Sequence, residues 1–313
     1  MSGRPTIAVV IPAFQAERHL PGLFDALAAQ VEPFDEVVLV DDASTDGTVA
    51  LAKARGAVVL RHGRNAGCSA AKHTGLAAVR SDWVHFQDAD DLPLPRFAQA
   101  AREAIRAAPA LDAWLPRWRH VDAVSGALLA ESRLSRDALA ADPVATCLAE
   151  TVNNVGVYRV STVREAGGFA LDPRLLHNED RAFHLRLATR GARFHAGDEV
   201  LIETRRHPGS MSQASAVRCL ESHAAVTLDY LERHPDRHAA VCAHALWQAA
   251  TGLATHRRFD LADPLLQRAA SLGHAVDPAA SARFAALCRL GPRFALRARE
   301  YAIRAFKPWL RRA

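Results

Sequence analysis

Short apolar runs alternate with amphipathic stretches through the first third of the chain, a rhythm that predicts βαβ units on a mostly parallel sheet. Thr6 to Ile11 reads as a buried strand and Ala16 to Gln30 as a helix whose Leu20, Leu23, Phe24 and Leu27 share one face. Glu36 to Val40 is a second strand, followed by a helix that Ser44 or Thr45 is placed to cap and that Gly56 stops after Arg55. Ala57 to Leu60, Ser69 to Val79 and Trp83 to Phe86 continue the series as strand, helix and strand.

Beyond residue 110 the rhythm loosens. Ala113 to Val121, with Trp114 and Trp118, and Val155 to Val160 have strand character, Glu165 to Phe169 holds a helix end with a double glycine, and Arg181 to Thr189 is a helix closed by Gly191. From about Val217 the chain turns to Ala- and Leu-rich helical runs, among which 238–254 and 260–272 are expected to pair. Two parts follow: an α/β domain over 1–215 and an α-helical region over 216–313 with a basic amphipathic tail.

Composition narrows the class. Of the 313 residues 50% are hydrophobic and 23% charged, as in a soluble globular protein, and no apolar run approaches the roughly 20 residues that span a bilayer. The start of the chain is unlike a signal peptide, so a cytoplasmic protein is expected. Cys68, Cys147, Cys219, Cys242 and Cys288 have no metal-ligand spacing and are expected as reduced thiols. The net charge of +5 is uneven: residues 289–313 carry eight Lys or Arg against one acid, Glu300, which leaves the rest of the chain net acidic. A nucleic-acid-binding body is therefore not supported. In the tail, Phe294, Leu296, Tyr301, Phe306, Trp309 and Leu310 interleave with the basic residues. That pattern suits either a helix packed on its neighbours or one lying on an anionic membrane.

The chemistry gathers where strands end. Asp88-Ala89-Asp90-Asp91 follows the fourth strand and Asp41-Asp42 the second, with Pro12-Ala13-Phe14 after the first. In open α/β sheets ligands bind outside the carboxyl ends of strands. Three like charges within four residues need water or a cation to screen them, so the cluster is either a solvated acidic turn or a metal site.

Several signatures stand in order: Val10-Ile11-Pro12-Ala13-Phe14, Val40-Asp41-Asp42-Ala43-Ser44, Asn65-Ala66-Gly67-Cys68 running to Lys72-His73-Thr74-Gly75, the acidic cluster, Asn178-Glu179-Asp180, and Arg205-Arg206-His207-Pro208-Gly209-Ser210-Met211-Ser212. Over residues 5–212 this order resembles the family 2 glycosyltransferases of the GT-A fold, a Rossmann-like sheet flanked by helices.

The resemblance implies metal-dependent transfer of a sugar, with inversion, from a nucleotide diphosphate to a hydroxyl of a glycan or lipid-linked acceptor. It implies a UDP-sugar and Mn²⁺ or Mg²⁺, with Asp90 on the metal, Asp88 toward the ribose and Ala89 beside the donor. Asp42 would meet the base, Pro12, Ala13 and Phe14 would floor its pocket, and Lys72 would stand near the uridine or diphosphate. Asp180 matches the general base and Glu179 an acceptor-positioning group, and His207 lies where some relatives reach the metal. Each position has a plain structural alternative: an Asx turn for Asp42, a solvated helix lysine for Lys72, acids favouring a helix amino terminus for Glu179 and Asp180. Asn153 and Asn154 are candidates for the acceptor pocket, and Trp114 and Trp118 for a sugar face or for packing. A lipid-linked acceptor would give the tail 289–313 a peripheral place on the inner membrane face. The non-enzyme alternative is a silent nucleotide- or glycan-binding module of the same fold. A nucleotidylyltransferase or a dinucleotide oxidoreductase is disfavoured, because no Gly-rich loop follows the first strand.

Overall fold

The structure, a computed structural model, describes residues 3–132, 134–150, 152–207, 215–235 and 237–311. The chain divides into two compact units. The first comprises Met1–Cys147, Val152–Leu171 and Glu179–Ser210; the second comprises Leu148–Thr151, Asp172–Asn178 and Met211–Ala313.

The first unit is built on one mixed sheet. Its strands are β1 (Ile7–Ala13), β2 (Glu36–Asp41), β3 (Val58–Arg61), β4 (Trp83–Phe86), β5 (Leu92–Pro93), β6 (Ala113–Asp122), β7 (Leu128–Glu131), β8 (Val157–Arg159) and β9 (Phe194–Arg206). The order is β3-β2-β1-β4-β8-β6-β9-β5, with β7 on β6. The half from β3 to β4 is parallel, as are β6 and β9; β8 is antiparallel to β4 and β6, and β5 to β9. Every residue of β1 is buried, because helices α1 (Leu20–Ala28) and α3 (Cys68–Ala78) accompany a central parallel strand whose faces are both covered. The α1 face is the expected one: Leu20, Leu23, Phe24 and Leu27 join Val9, Ile11 and Leu39 in the core. On α3 close approach depends on Gly75, where an added Cβ would stand 2.3 Å from Val10 Cγ1.

One expectation about local structure fails. Helix α2 spans Thr48–Ala54, and neither Ser44 nor Thr45 caps it. Their hydroxyls turn instead to Gln15, whose N–H donates to Ser44 Oγ (2.9 Å) and whose side-chain amide donates to Thr45 Oγ1 (2.9 Å). Asp46 takes over at the helix start by accepting from Thr48 N–H at 3.1 Å. This cross-link holds two non-glycine residues, Gln15 (φ 50°) and Ala43 (φ 68°), in left-handed conformation at the ends of β1 and β2. Strain of that kind persists where surrounding structure fixes it, commonly beside a site.

Trp114 and Trp118 on β6 are 3% and 5% exposed, so both pack in the core and neither offers a sugar-stacking face. A second apolar layer is aromatic: Phe169 and Phe183 stack at 4.1 Å, with Phe86 edge-on to both. Phe183 belongs to α8 (Glu179–Thr189), which begins at the two acids singled out above.

The second unit is helical: Ala216–Arg233, Ala239–Thr255, Phe259–Ser271, Ala282–Cys288 and Pro292–Phe306. Ala239–Thr255 packs against Phe259–Ser271 and against Ala216–Arg233. Its small residues permit the approach, since a Cβ at Gly252 would meet Leu220 at 2.5 Å. Among the described residues no helix is long and apolar enough to cross a membrane.

Candidate active site

The parallel register sets the site. Ala13 pairs with Asp41 across β1 and β2, and Val10 with Phe86 across β1 and β4, so Phe14, Asp42 and the residues after Phe86 leave one edge of the sheet together. Pro12 and Ala13 are buried in that edge, while Phe14 is 52% exposed.

The adjacent aspartates after β2 have divided roles. Asp41 is fully buried; its Oδ1 accepts from Ser44 N–H at 3.1 Å, and Arg61 Nε lies 3.0 Å from its Oδ2. The turn expected at Asp42 is therefore made by Asp41. Asp42 is gripped from the other side: Ala66 N–H (2.8 Å) and His62 Nδ1 (2.7 Å) meet Oδ1, and Gly67 N–H donates to Oδ2 (2.7 Å). Gly67 has φ 92°, a conformation that lets successive N–H groups face one carboxylate. Burial works to raise the Asp42 pKa, but these hydrogen bonds outweigh it and hold the group below the ordinary carboxylate value. His62 passes the chain on through Nε2, 2.9 Å from Thr74 Oγ1 on α3.

Lys72 is not a solvated helix lysine. It is wholly buried on α3, with Nζ 3.4 Å from Asp88 Oδ1, 3.4 Å from Glu179 Oε1 and 3.6 Å from Asp180 Oδ1, and 4.8 Å from the centre of the Phe169 ring. One ammonium thus joins the acid after β4 to both acids at the start of α8. Burial opposes its charge, but Asp88 and the other acidic neighbours raise its pKa well above the usual lysine value. Burial raises the Glu179 carboxyl to about 7, with Asp180 and Asp88 adding to the rise and Lys72 opposing it. Asp180 Oδ2 accepts from Asn154 N–H at 3.0 Å, whereas Asp180 Oδ1 and Asp88 Oδ1 are buried facing the Lys72 ammonium. Buried carboxylate oxygens so placed depend on that one cation for compensation.

Within the acidic cluster each member has its own environment. Asp91 Oδ1 accepts from Arg205 N–H at 2.9 Å and so ties the loop to β9; burial, then Asp90 and Asp88, push its pKa well up. Asp90 has a side chain 34% exposed, and its Oδ2 lies 3.1 Å from His207 Nε2. The His207 ring lies 5.4 Å from that of His19, which burial holds below the usual histidine pKa. Ala89 packs against the core beneath. Residues 208–214, the remainder of the last signature, lie outside the described residues.

Among the described residues no three His, Cys, Asp or Glu side chains form a ready-made metal cage. The part-exposed Asp90 carboxylate and the facing His207 nonetheless fit an oxygen-preferring divalent ion that takes its other ligands from a diphosphate and water.

Sequence reasoning had not singled out His62, His19 or the Asn154 contact to Asp180. His73, the neighbour of Lys72 on α3, meets the Gly167 carbonyl, 2.9 Å from its Nε2.

A mixed sheet with acids on one edge and a helical extension defines the GT-A class, and comparison with solved structures agrees. The fold is similar to that of S. aureus TarS 1-349, solved in complex with UDP-GlcNAc: TM-score 0.72, 18% identity, 96% of this chain and 92% of that one. It is also similar to the mannosyltransferase PcManGT from Pyrobaculum calidifontis in complex with GDP-Man and Mn²⁺: TM-score 0.62, 20% identity, 99% of this chain and 83% of that one. Residues 8–137 match the family model Glycosyl transferase family 2. Among curated proteins, EpsJ of Bacillus subtilis (strain 168), named an uncharacterized glycosyltransferase, is 31% identical over 91 residues, 28% of this chain. The alignment covers 26% of EpsJ, and 36% of a Haemophilus influenzae relative, so the chain matches well under half the length of these proteins.

Proposed function

We propose that the protein is an inverting glycosyltransferase that moves a sugar from a nucleoside diphosphate, a UDP-sugar foremost, to a hydroxyl of a glycan or lipid-linked acceptor. The observation that carries the reading is the Lys72 cluster. Two buried carboxylate oxygens, Asp88 Oδ1 and Asp180 Oδ1, face one buried ammonium and come from separate parts of the chain, the turn after β4 and the start of α8.

The chemistry follows from their placement. Asp42, held ionised by its three donors, accepts the imide N–H of the base over Pro12 and Ala13. Asp88 serves the ribose side, and Asp90 with His207 holds Mn²⁺ or Mg²⁺. Such an ion, when bound, stabilises the charge that grows on the departing diphosphate. Asp180 takes the proton from the acceptor hydroxyl as its oxygen attacks the anomeric carbon, opposite the breaking bond to the diphosphate. Asn154 N–H fixes Asp180 through Oδ2, and Lys72 faces its Oδ1. Glu179 and Lys72 position the pair. The enzyme works in the cytoplasm, at the inner membrane face where the acceptor is lipid-linked.

A screen of nucleotide sugars for donor hydrolysis with Mn²⁺ and Mg²⁺, joined to calorimetry with UDP, tests this. Turnover of one donor and metal-dependent UDP binding are expected. Failure of every uridine, guanosine and thymidine nucleotide to bind would refute the reading, and binding without any transfer would leave the silent module in its place.

A further inference from the structure

The last helix sorts its basic residues into two groups. On its inner side Ala295 and Leu296 are buried, and Arg297 makes a two-pronged pair with Asp263 (3.0 and 2.7 Å). Glu300, the tail's one acid, is 4% exposed and clamped by Arg304 (2.9 Å) and Arg311 (2.9 Å). These contacts fix the helix to its own unit and take the negative charge out of the outer surface.

On the outer side several apolar residues are exposed, Tyr301 among them although its ring also stacks on Phe259. Phe294, Ala298, Tyr301 and Ala305 fall at i, i+4, i+7 and i+11, which is one face of an α-helix. Phe294 and Tyr301 on this face are 54% and 64% exposed, and Phe306, Trp309 and Leu310, at and beyond the end of the helix, are 78%, 63% and 54% exposed. Arg289, Arg293, Arg299 and Lys307 are exposed around it. An aromatic strip flanked by cations, with its acid turned inward, matches the chemistry of an anionic lipid headgroup layer above acyl chains.

We infer that Arg289–Arg311 is a docking surface for an anionic bilayer, on which Phe294, Tyr301, Phe306, Trp309 and Leu310 sit at the headgroup boundary and the four exposed cations face the lipid charge. The surface stands independently of the transferase reading, since its residues lie outside the Lys72 cluster.

The full chain is to be sedimented with vesicles of phosphatidylcholine alone and of phosphatidylcholine with about a third phosphatidylglycerol, at low and high salt, beside Phe306→Ser/Trp309→Ser and Arg293→Glu/Lys307→Glu. Each exposed cation near an anionic surface is worth about a fivefold change in partitioning. The charge-reversal variant is therefore expected to lose at least 25-fold, that is about fivefold for each of the two sites. The aromatic variant is expected to lose binding at both salts. Unchanged far-ultraviolet circular dichroism and urea midpoints show that the variants are folded. Equal binding to neutral and anionic vesicles, or unchanged binding by both variants, would overturn the inference. A wild-type dimer that either variant converts to monomer would overturn it in favour of a second copy of the chain as occupant.

Discussion

Replacing Lys72 by Met removes the one cation that three carboxylates share. At 3.4 to 3.6 Å each pair is attracted by roughly 5 kcal/mol if the effective dielectric constant is about 20. Repulsion among Asp88, Glu179 and Asp180 and the dehydration of the buried ammonium cancel much of that sum. Removing one partner of a buried ionic group costs about 3–5 kcal/mol, because the remaining charge is left uncompensated. Protons can replace the lost cation, and Glu179, already raised to about 7, is the first to accept one.

The penalty for Lys72→Met should therefore depend on pH. In the wild type the raised Glu179 pKa means that the folded state binds more protons than the unfolded chain between the two values, so this group's contribution is present in acid and fades as pH rises through about 7. In the variant that window widens and moves upward. Urea denaturation followed by tryptophan fluorescence should give a loss of about 3–5 kcal/mol near pH 8, and roughly half of that near pH 5.5. A penalty that is the same at both pH values, or absent near pH 8, would refute the account of Lys72 as the counter-charge of this cluster.

Four further outcomes are expected. Asp180→Asn should keep UDP affinity within about twofold yet lower transfer by roughly 10²–10⁴-fold, the usual worth of a general base; full transfer would show that another group takes the proton. Asp90→Ala should abolish the Mn²⁺ dependence of UDP binding in calorimetry, and His207→Ala should weaken it less; an unchanged metal requirement in Asp90→Ala would remove it from the ion. His62→Ala should weaken UDP binding and make it fall off at higher pH than in the wild type as acid is added, because Asp42 loses one of the donors that keep it ionised. Gly75→Val should destabilise the chain by about 1–3 kcal/mol through overpacking against Val10, and an unchanged urea midpoint would show that α3 can move away from β1.

Much of the first unit was legible because its central strands obey a local rule. A parallel strand buried on both faces is a continuous apolar run, and β1, β2 and β4 could be placed from that alone, their ends bringing the acids to one edge. What stayed hidden was non-local. β9 carries charges at Asp198, Glu199, Glu203, Arg205 and Arg206, and it is a strand because β6 lies beside it in parallel and β5 closes its other side. It is Arg205 N–H at the end of that strand that makes Asp91 a structural tie and leaves Asp90 facing His207.

Lys72 is the more instructive case, since a local signal was present. Ser69, Lys72 and Leu76 stand at i, i+3 and i+7, and with Ala71 and Gly75 they form the buried face of α3. A lysine on the covered face of a helix is rarely there without acids to meet it, because burying an unpaired ammonium is prohibitive. The helix pattern therefore demanded carboxylates opposite Lys72. The acids that meet it come from the turn after β4 and the start of α8, parts of the chain that the loosened rhythm beyond residue 110 kept apart. The fold supplies the link through Asn154, whose side-chain amide donates to Phe86 O at the end of β4 (3.4 Å) and whose backbone N–H holds Asp180. The acids after β4 and at the start of α8 are thus positioned by one buried charge and one asparagine, and a change at either is expected to disturb both groups at once.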